Sequence, residues 1–312
     1  GKFGINLGQF VAAEILVLFI VDSVEKLILL HETAYDVLTA TEKIGQVVDL
    51  PLEREGGIRV EEFSENKPLE VELRELSYQY SDAPLPTLQN LNLRIAPGER
   101  VAVAGYGGSG KSTLMKILSV QKRDFTGLLL FNGLTKRNLD LGSLRGHIGD
   151  FSSQEEIFKG SIRENISLDR DEVSLKRVLE MVELVGLDTF IRENPQGIDT
   201  ELLPGGKNIP RSVITKILVA RAMAGNPNLL VMEEPLNRLI HLDRVTVARL
   251  LTGAERSWTL VTVTEDPLLA SLCDRVIVLQ SGKIVFDGVF DAVRKTEHFG
   301  KLFRENSTET GA

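Results

Sequence analysis

One cysteine, Cys273, occurs in the whole chain, so no internal disulfide can form, and a reducing, cytoplasmic setting is the simplest reading. Standing in LLASLCDRVIVL, it reads as a small buried hydrophobe, the usual behaviour of a free cysteine. Dense basic runs are missing too. The 44 acidic and 36 basic residues leave a formal charge of −8, which argues against a nucleic-acid partner, because such binding draws on clustered Lys and Arg. The four histidines, His31, His147, His241 and His298, are scattered without metal-ligand spacing, and no structural zinc is expected. Internal repeats and low-complexity tracts are absent. What is present, 43% hydrophobic and 26% charged residues over 312 positions, is the balance of a globular protein with a sizeable core, longer than one average domain.

A full membrane span is also missing from the pattern. FVAAEILVLFIV (Phe10 to Val21) is apolar except for Glu14 but falls short of the roughly 18 to 20 residues that cross a bilayer, so this run is expected not to cross alone. No basic start or small-residue cleavage site marks a signal peptide. The chain begins at Gly1 without methionine, and the expectation is a piece of a longer protein that opens partway through a membrane helix. From Val24 to Val48 apolar residues recur at Val24, Leu27, Ile28, Tyr35, Leu38, Ile44 and Val48 with charges between them, the three-and-four spacing of an amphipathic helix. That helix should stop at VVDLPLEREGG, where Pro51 and the Gly56-Gly57 pair interrupt the pattern, and residues 49–69 read as a polar linker.

A change of fold follows. LEVELRELSYQY alternates like a strand, and PTLQNLNLRIAPGERVAVAG supplies two more strands around the Pro97-Gly98 turn. Downstream, strands such as LLVMEE, WTLVTVT and RVIVLQSGKIVFDG alternate with helical runs such as SLKRVLEMVELVG, the ordering of an α/β domain. GYGGSGKST (Gly105 to Thr113) has the form GxxxxGKST, follows the apolar strand RVAVA and precedes the helical run LMKILSV, which is the context a phosphate-binding loop requires. Its glycines, Gly105, Gly107, Gly108 and Gly110, with Ser109 between them, let backbone N–H groups turn inward on phosphate oxygens. Lys111 adds a cation toward the β- and γ-phosphates, and Ser112 offers a hydroxyl to Mg²⁺. The following helix N-terminus contributes its dipole. NLLVMEEP (Asn228 to Pro235) is a hydrophobic strand ending in Glu233 and Glu234, an arrangement that holds Mg²⁺ and orients a water for attack on a γ-phosphate.

At these residues the chain resembles the ATPase domain of ABC transporters, from about Glu70 to Gly300. The resemblance implies an α/β P-loop NTPase fold with a small helical subdomain at about 155–215. Tyr80 in SYQY stands where the family stacks an aromatic on adenine, and Gln154 in FSSQEEIFKGSIRENI looks like the glutamine that contacts Mg²⁺ and senses the membrane domain. GSIRENI (Gly160 to Ile166) is close to exporters. Residues 1–48 look like the end of an exporter's last transmembrane helix and its cytoplasmic extension, 70–302 like the ATP-binding domain, and 303–312 form a polar tail. Implied with this are the ligands ATP and Mg²⁺, with Ser112, Gln154 and Glu233 toward the metal and Glu234 polarising the attacking water. The implied partners are a transmembrane domain of the same polypeptide and a second ABC ATPase domain, identical or not, at the cytoplasmic face of the cell (inner) membrane. A soluble ABC ATPase of DNA repair fits poorly, since the interval from Lys111 to Glu233 leaves no room for a long coiled coil.

Four places depart from the family. LPGGK (Leu203 to Lys207) looks like a damaged LSGGQ signature, yet eighteen residues separate Glu201 from Ala220, and an ungapped count places the signature on IPRSV (Ile209 to Val213). LPGGK is then a decoy. Either placement puts proline, at Pro210 or Pro204, where the family has serine, and Pro210 has no N–H to offer. The switch histidine aligns with Glu265 in VTVTEDP, the Walker B aspartate aligns with Glu233, and PLNRLIH does not match the usual SALD. A carboxylate near a γ-phosphate is no neutral exchange: like charges about 4 Å apart repel by about 4 kcal/mol at an effective dielectric near 20, close to a thousandfold in rate. Glu265 must turn away, bind metal or suppress hydrolysis. Two readings stay open, an energising ATPase and an ATP-held clamp with little turnover.

Overall fold

The computed structural model describes residue 4 and residues 6–50, 52–53, 56–64, 67–152, 156–253 and 257–303. They form two compact units that divide near residue 54.

The first unit is one helix, Leu7–Val48, of 42 residues. Asn6 and Gln9 form a reciprocal cap at its start, and at its end the Asp49 N–H donates to the Gly45 carbonyl at 2.8 Å. It buries no residue within the chain. The helix corrects the length argument made from Phe10–Val21: it runs unbroken past Val21 and contains an 18-residue window long and apolar enough to cross a membrane by length and composition. The interruption at Asp22 is softened by its ion pair with Lys26 one turn on, at 2.7 Å. The hydroxyls of Ser23, Thr33 and Thr41 fold back onto the carbonyls of Phe19, Leu29 and Val37, which satisfies them inside the helix as an apolar environment demands.

Among the described residues the second unit carries twelve strands: β1 (Val71–Tyr78), β2 (Leu88–Ile95), β3 (Arg100–Gly105), β4 (Thr126–Phe131), β5 (Leu134–Thr135), β6 (Ile148–Phe151), β7 (Gly160–Ser161), β8 (Glu201–Leu202), β9 (Leu229–Glu233), β10 (Thr259–Val263), β11 (Arg275–Gln280) and β12 (Lys283–Gly288). An antiparallel sheet has the order β2-β1-β4-β5, and a six-stranded sheet runs β12-β11-β3-β10-β9-β6. In the larger sheet every neighbouring pair is parallel except β11 with β12. The alternation of RVAVA explains why β3 lies in its interior. Val101 and Val103 point into the core shared with the phosphate-loop helix Lys111–Leu118, and Ala102 and Ala104 point to the opposite face against Val276, Val278 and Phe303, so both faces of the strand are buried. A third core joins the helices between Ile162 and Ala224 to β9 and β10.

Part of the expected linker belongs to this unit. Val60 and Leu69 are fully buried in the core around β1, and Ile58 exchanges backbone hydrogen bonds with Asn138 and Asp140. Two apolar residues in a polar stretch carry no periodicity, so the packing was invisible to pattern reading. Cys273 is buried, as expected, and burial pushes its thiol up to about 12.

Candidate functional site

Three neighbouring parallel strands, β3, β10 and β9, end at one edge of the sheet, and ligands of open α/β sheets bind beyond such carboxyl ends. β3 delivers the phosphate loop. Gly110 is left-handed at φ 100°, and a Cβ there would lie 2.8 Å from the Thr87 carbonyl oxygen, so only glycine fits. Lys111 donates through Nζ to the carbonyls of Gly105 and, at 3.1 Å, Tyr106. Burial lowers its pKa, an effect opposed first by Glu265, then by Glu234 and Glu233. Ser112 is exposed beside the loop and Thr113 buried beneath it. The Thr113 hydroxyl lies 3.3 Å from that of Tyr80, which ties the aromatic ring to the phosphate-loop helix. The Tyr80 ring packs edge-on to Tyr78, with the Lys122 ammonium 4.9 Å from its centre.

β9 and β10 deliver the carboxylates. Glu233 is the last residue of β9, paired in register with Val263 of β10, and is buried. Glu234 turns out of the strand in a left-handed conformation, φ 51°. Its N–H donates to the Val263 carbonyl at 2.9 Å, and its Oε1 accepts the N–H of Glu265 at 3.0 Å. Burial pushes the Glu234 carboxyl up to about 7, helped by the charge of Glu265 and opposed by that N–H and by Lys111. Glu234, Asn237, Arg238, Arg244, Glu265 and Asp266 line a pocket of about 390 Å³. Arg244 is committed to Asp266, with Nε and Nη2 at 3.0 and 2.5 Å from the same carboxylate oxygen.

Residues 88–237 match the family described as ABC transporter. The chain is 27% identical over 284 residues to the alpha-hemolysin translocation ATP-binding protein HlyB of Escherichia coli O157:H7, covering 91% of this chain and 40% of that protein. It is 28% identical over 286 residues to an ATP-dependent lipid A-core flippase of Burkholderia orbicola, covering 92% and 48%. The chain contains a domain of the ABC transporter family. It carries an ATP-binding domain of the kind found in ABC exporters. The solved structure of a bacterial Atm1-family ABC exporter with ATP bound has the same fold, with a TM-score of 0.77 at 22% identity over 88% of this chain and 48% of that one. The chain thus spans about half or less of the length of these relatives.

Against the ABC pattern, the structure shows what the divergent segments do. Leu203 to Lys207 does not open a helix: Pro204–Gly206 is a short 3₁₀ turn with Gly205 and Gly206 left-handed, and the Gly205 N–H is spent on the Ile157 carbonyl at 2.7 Å. The helix Arg211–Ala224 starts six residues on, with Pro210 at its N-cap and no side-chain cap. This is the place reached by the ungapped count. Glu265 stands beside Glu234 and Lys111, while Gln154 lies outside the described residues.

Four residues of the site escaped the sequence. Asp150 in β6 is largely buried next to β9; burial pushes it up to about 6, with Glu233 adding to the rise and Gln121, donating at 2.6 Å, opposing it. An acidic residue inside the apolar run HIGDF was the available signal. Arg238 and the Arg244–Asp266 pair had none, because only the tertiary fold brings them to the carboxylates.

Proposed function

We propose that this ABC domain binds Mg-ATP and hydrolyses it to energise a membrane exporter. The observation that carries the reading is the convergence of Lys111, Glu233, Glu234 and Glu265 at the ends of three adjacent strands. Tyr80 stacks the base, the amides of Gly107 to Ser112 and the Lys111 ammonium cradle the phosphates, and Glu234 takes a proton from the attacking water. A base whose carboxyl titrates near neutrality is matched to that task, because it is substantially ionised at working pH yet basic enough to accept the proton. Ser112 and Glu233, with Gln154, offer the all-oxygen donor set that a hard cation prefers, so the residues present fit Mg²⁺. Bound there, the metal supplies charge neutralisation on the β- and γ-phosphates.

On this reading the domain pairs with a second ABC ATPase domain, and the helix Leu7–Val48 belongs to the transmembrane part of the same polypeptide, at the cytoplasmic face of the inner membrane. A second reading, an ATP-held clamp with little turnover, is favoured by Pro210 at the Arg211 helix and by Glu265 beside the γ-phosphate position. Mg²⁺-dependent ATP turnover by the full-length protein in lipid separates them. Turnover that rises as pH passes through about 7 and disappears in Glu234→Gln supports the motor; saturable ATP binding without turnover supports the clamp.

A further inference from the structure

We propose that Arg238 is a positioning residue for hydrolysis: its guanidinium draws the Glu265 carboxylate off the γ-phosphate when ATP binds. The proposal rests on the hydrolytic reading above and deepens it.

Backbone geometry gives the first observation. Arg238 has φ 71°, a left-handed conformation that is unfavourable for a residue with a Cβ and that persists only where the surroundings impose it. Those surroundings are visible. Leu236 and Leu239 on either side are buried, the Asn237 N–H donates to the Glu234 carbonyl at 3.0 Å, and the Leu239 N–H donates to the Leu236 carbonyl at 3.3 Å. The tight turn that begins at Glu234 therefore holds Arg238 at its exposed apex.

Charge balance gives the second. Three carboxylates, from Glu234, Glu265 and Asp266, line the pocket with two guanidinium groups. Arg244 is occupied by Asp266. Among the described residues Arg238 has neither a hydrogen bond nor an ion pair. Lys111 now offsets Glu265 and Glu234, but a phosphate loop gives its lysine to the β- and γ-phosphates. The arriving γ-phosphate thus draws a cation away from Glu265 and adds negative charge of its own. Arg238 is the remaining uncommitted cation on the described pocket wall, and its planar fork suits a carboxylate in two-point contact.

The test is a double-mutant cycle on ATP turnover by the full-length protein in lipid, with Arg238→Gln, Glu265→Gln and the two combined, beside Arg238→Lys. The cycle isolates a pairwise term from loop damage. Expected is a loss of kcat of about tenfold or more in Arg238→Gln with KM for ATP within about threefold, partial recovery in Arg238→Lys, and a loss below about threefold when Glu265 is already Gln. An equal loss in both backgrounds overturns the proposal, since Arg238 would then act on the phosphate itself or on the turn alone; no loss overturns it as well. A wild-type protein that binds ATP without turnover overturns the hydrolytic reading and this inference with it, whereas wild-type turnover with an additive cycle overturns only the inference.

Discussion

Glu234→Gln is expected to stabilise this domain at alkaline pH while removing its hydrolytic base. The wild-type carboxyl is pushed up to about 7 from an ordinary 4.5, chiefly by burial. A carboxyl whose folded pKa lies above its unfolded one binds its proton more tightly in the folded state, so ionisation weakens the fold. The penalty is absent below about pH 4.5, grows between 4.5 and 7, and is complete above. Each pH unit between folded and unfolded values is worth about 1.4 kcal/mol, which gives about 3 kcal/mol, trimmed to about 2 because the side chain keeps some solvent contact. Glutamine keeps the acceptor for the Glu265 N–H and carries no charge. For a domain of this size about 2 kcal/mol corresponds to roughly 4 to 8 °C in melting temperature. Trp258, the one tryptophan of this sequence, is buried with its indole N–H on the Leu251 carbonyl at 3.1 Å, so its fluorescence reports the unfolding of this unit in the 312-residue chain. The variant should melt with the wild type at pH 4 and roughly 4 to 8 °C above it at pH 8.5. A difference that does not change with pH, or a less stable variant at pH 8.5, would refute the reasoning.

Other perturbations probe other parts of the site. Asp150→Asn should follow the same pattern over a lower window, gaining about 2 kcal/mol above pH 6 and nothing below about pH 4, because burial raises that carboxyl from 3.8 to about 6; melting curves at pH 4.5 and 7.5 check this. Tyr80→Ala should weaken ATP binding by about tenfold, the scale of one base stacked on an aromatic, while leaving affinity for inorganic triphosphate unchanged in a calorimetric titration. Pro210→Ser gives the Arg211 helix a side-chain cap worth about 1 kcal/mol, and raised turnover in the same variant would show that this helix start meets nucleotide. Glu265→His should raise turnover at neutral pH in an Arg238→Gln background, by removing a like charge from the γ-phosphate; unchanged turnover there would place that carboxylate away from it.

The phosphate loop and the Glu233-Glu234 pair were legible because their meaning is local: a strand, a glycine turn and a helix start read in one direction along the chain. The buried strands RVAVA, LLVME and TLVTV announced themselves by β-branched and small apolar runs, and all three lie adjacent in the larger sheet. Strand order was not legible. Asp150 sits against Val231 only because β6 pairs with β9, and Arg244 meets Asp266 only because the helix after β9 packs beside the loop after β10, contacts between distant parts of the sequence. The N-terminal helix was read too short as a span because Asp22 and Lys26 break the apolar run in composition, although as an i,i+4 pair they leave the helix intact. LPGGK misled at first sight for a related reason: its glycines serve left-handed turn positions, and the distance to ARA, rather than the letters, located the helix start.

The central claim is that this altered site still turns over ATP. The most direct measurement is Mg²⁺-dependent phosphate release by the full-length protein in lipid, beside its Glu234→Gln and Lys111→Ala forms, with ATP binding measured on all three. Expected are turnover in the wild type, none in either variant, and ATP binding retained by Glu234→Gln but lost in Lys111→Ala. Saturable binding that only Lys111→Ala destroys, with no phosphate release from any form, would contradict it and leave a nucleotide-held clamp.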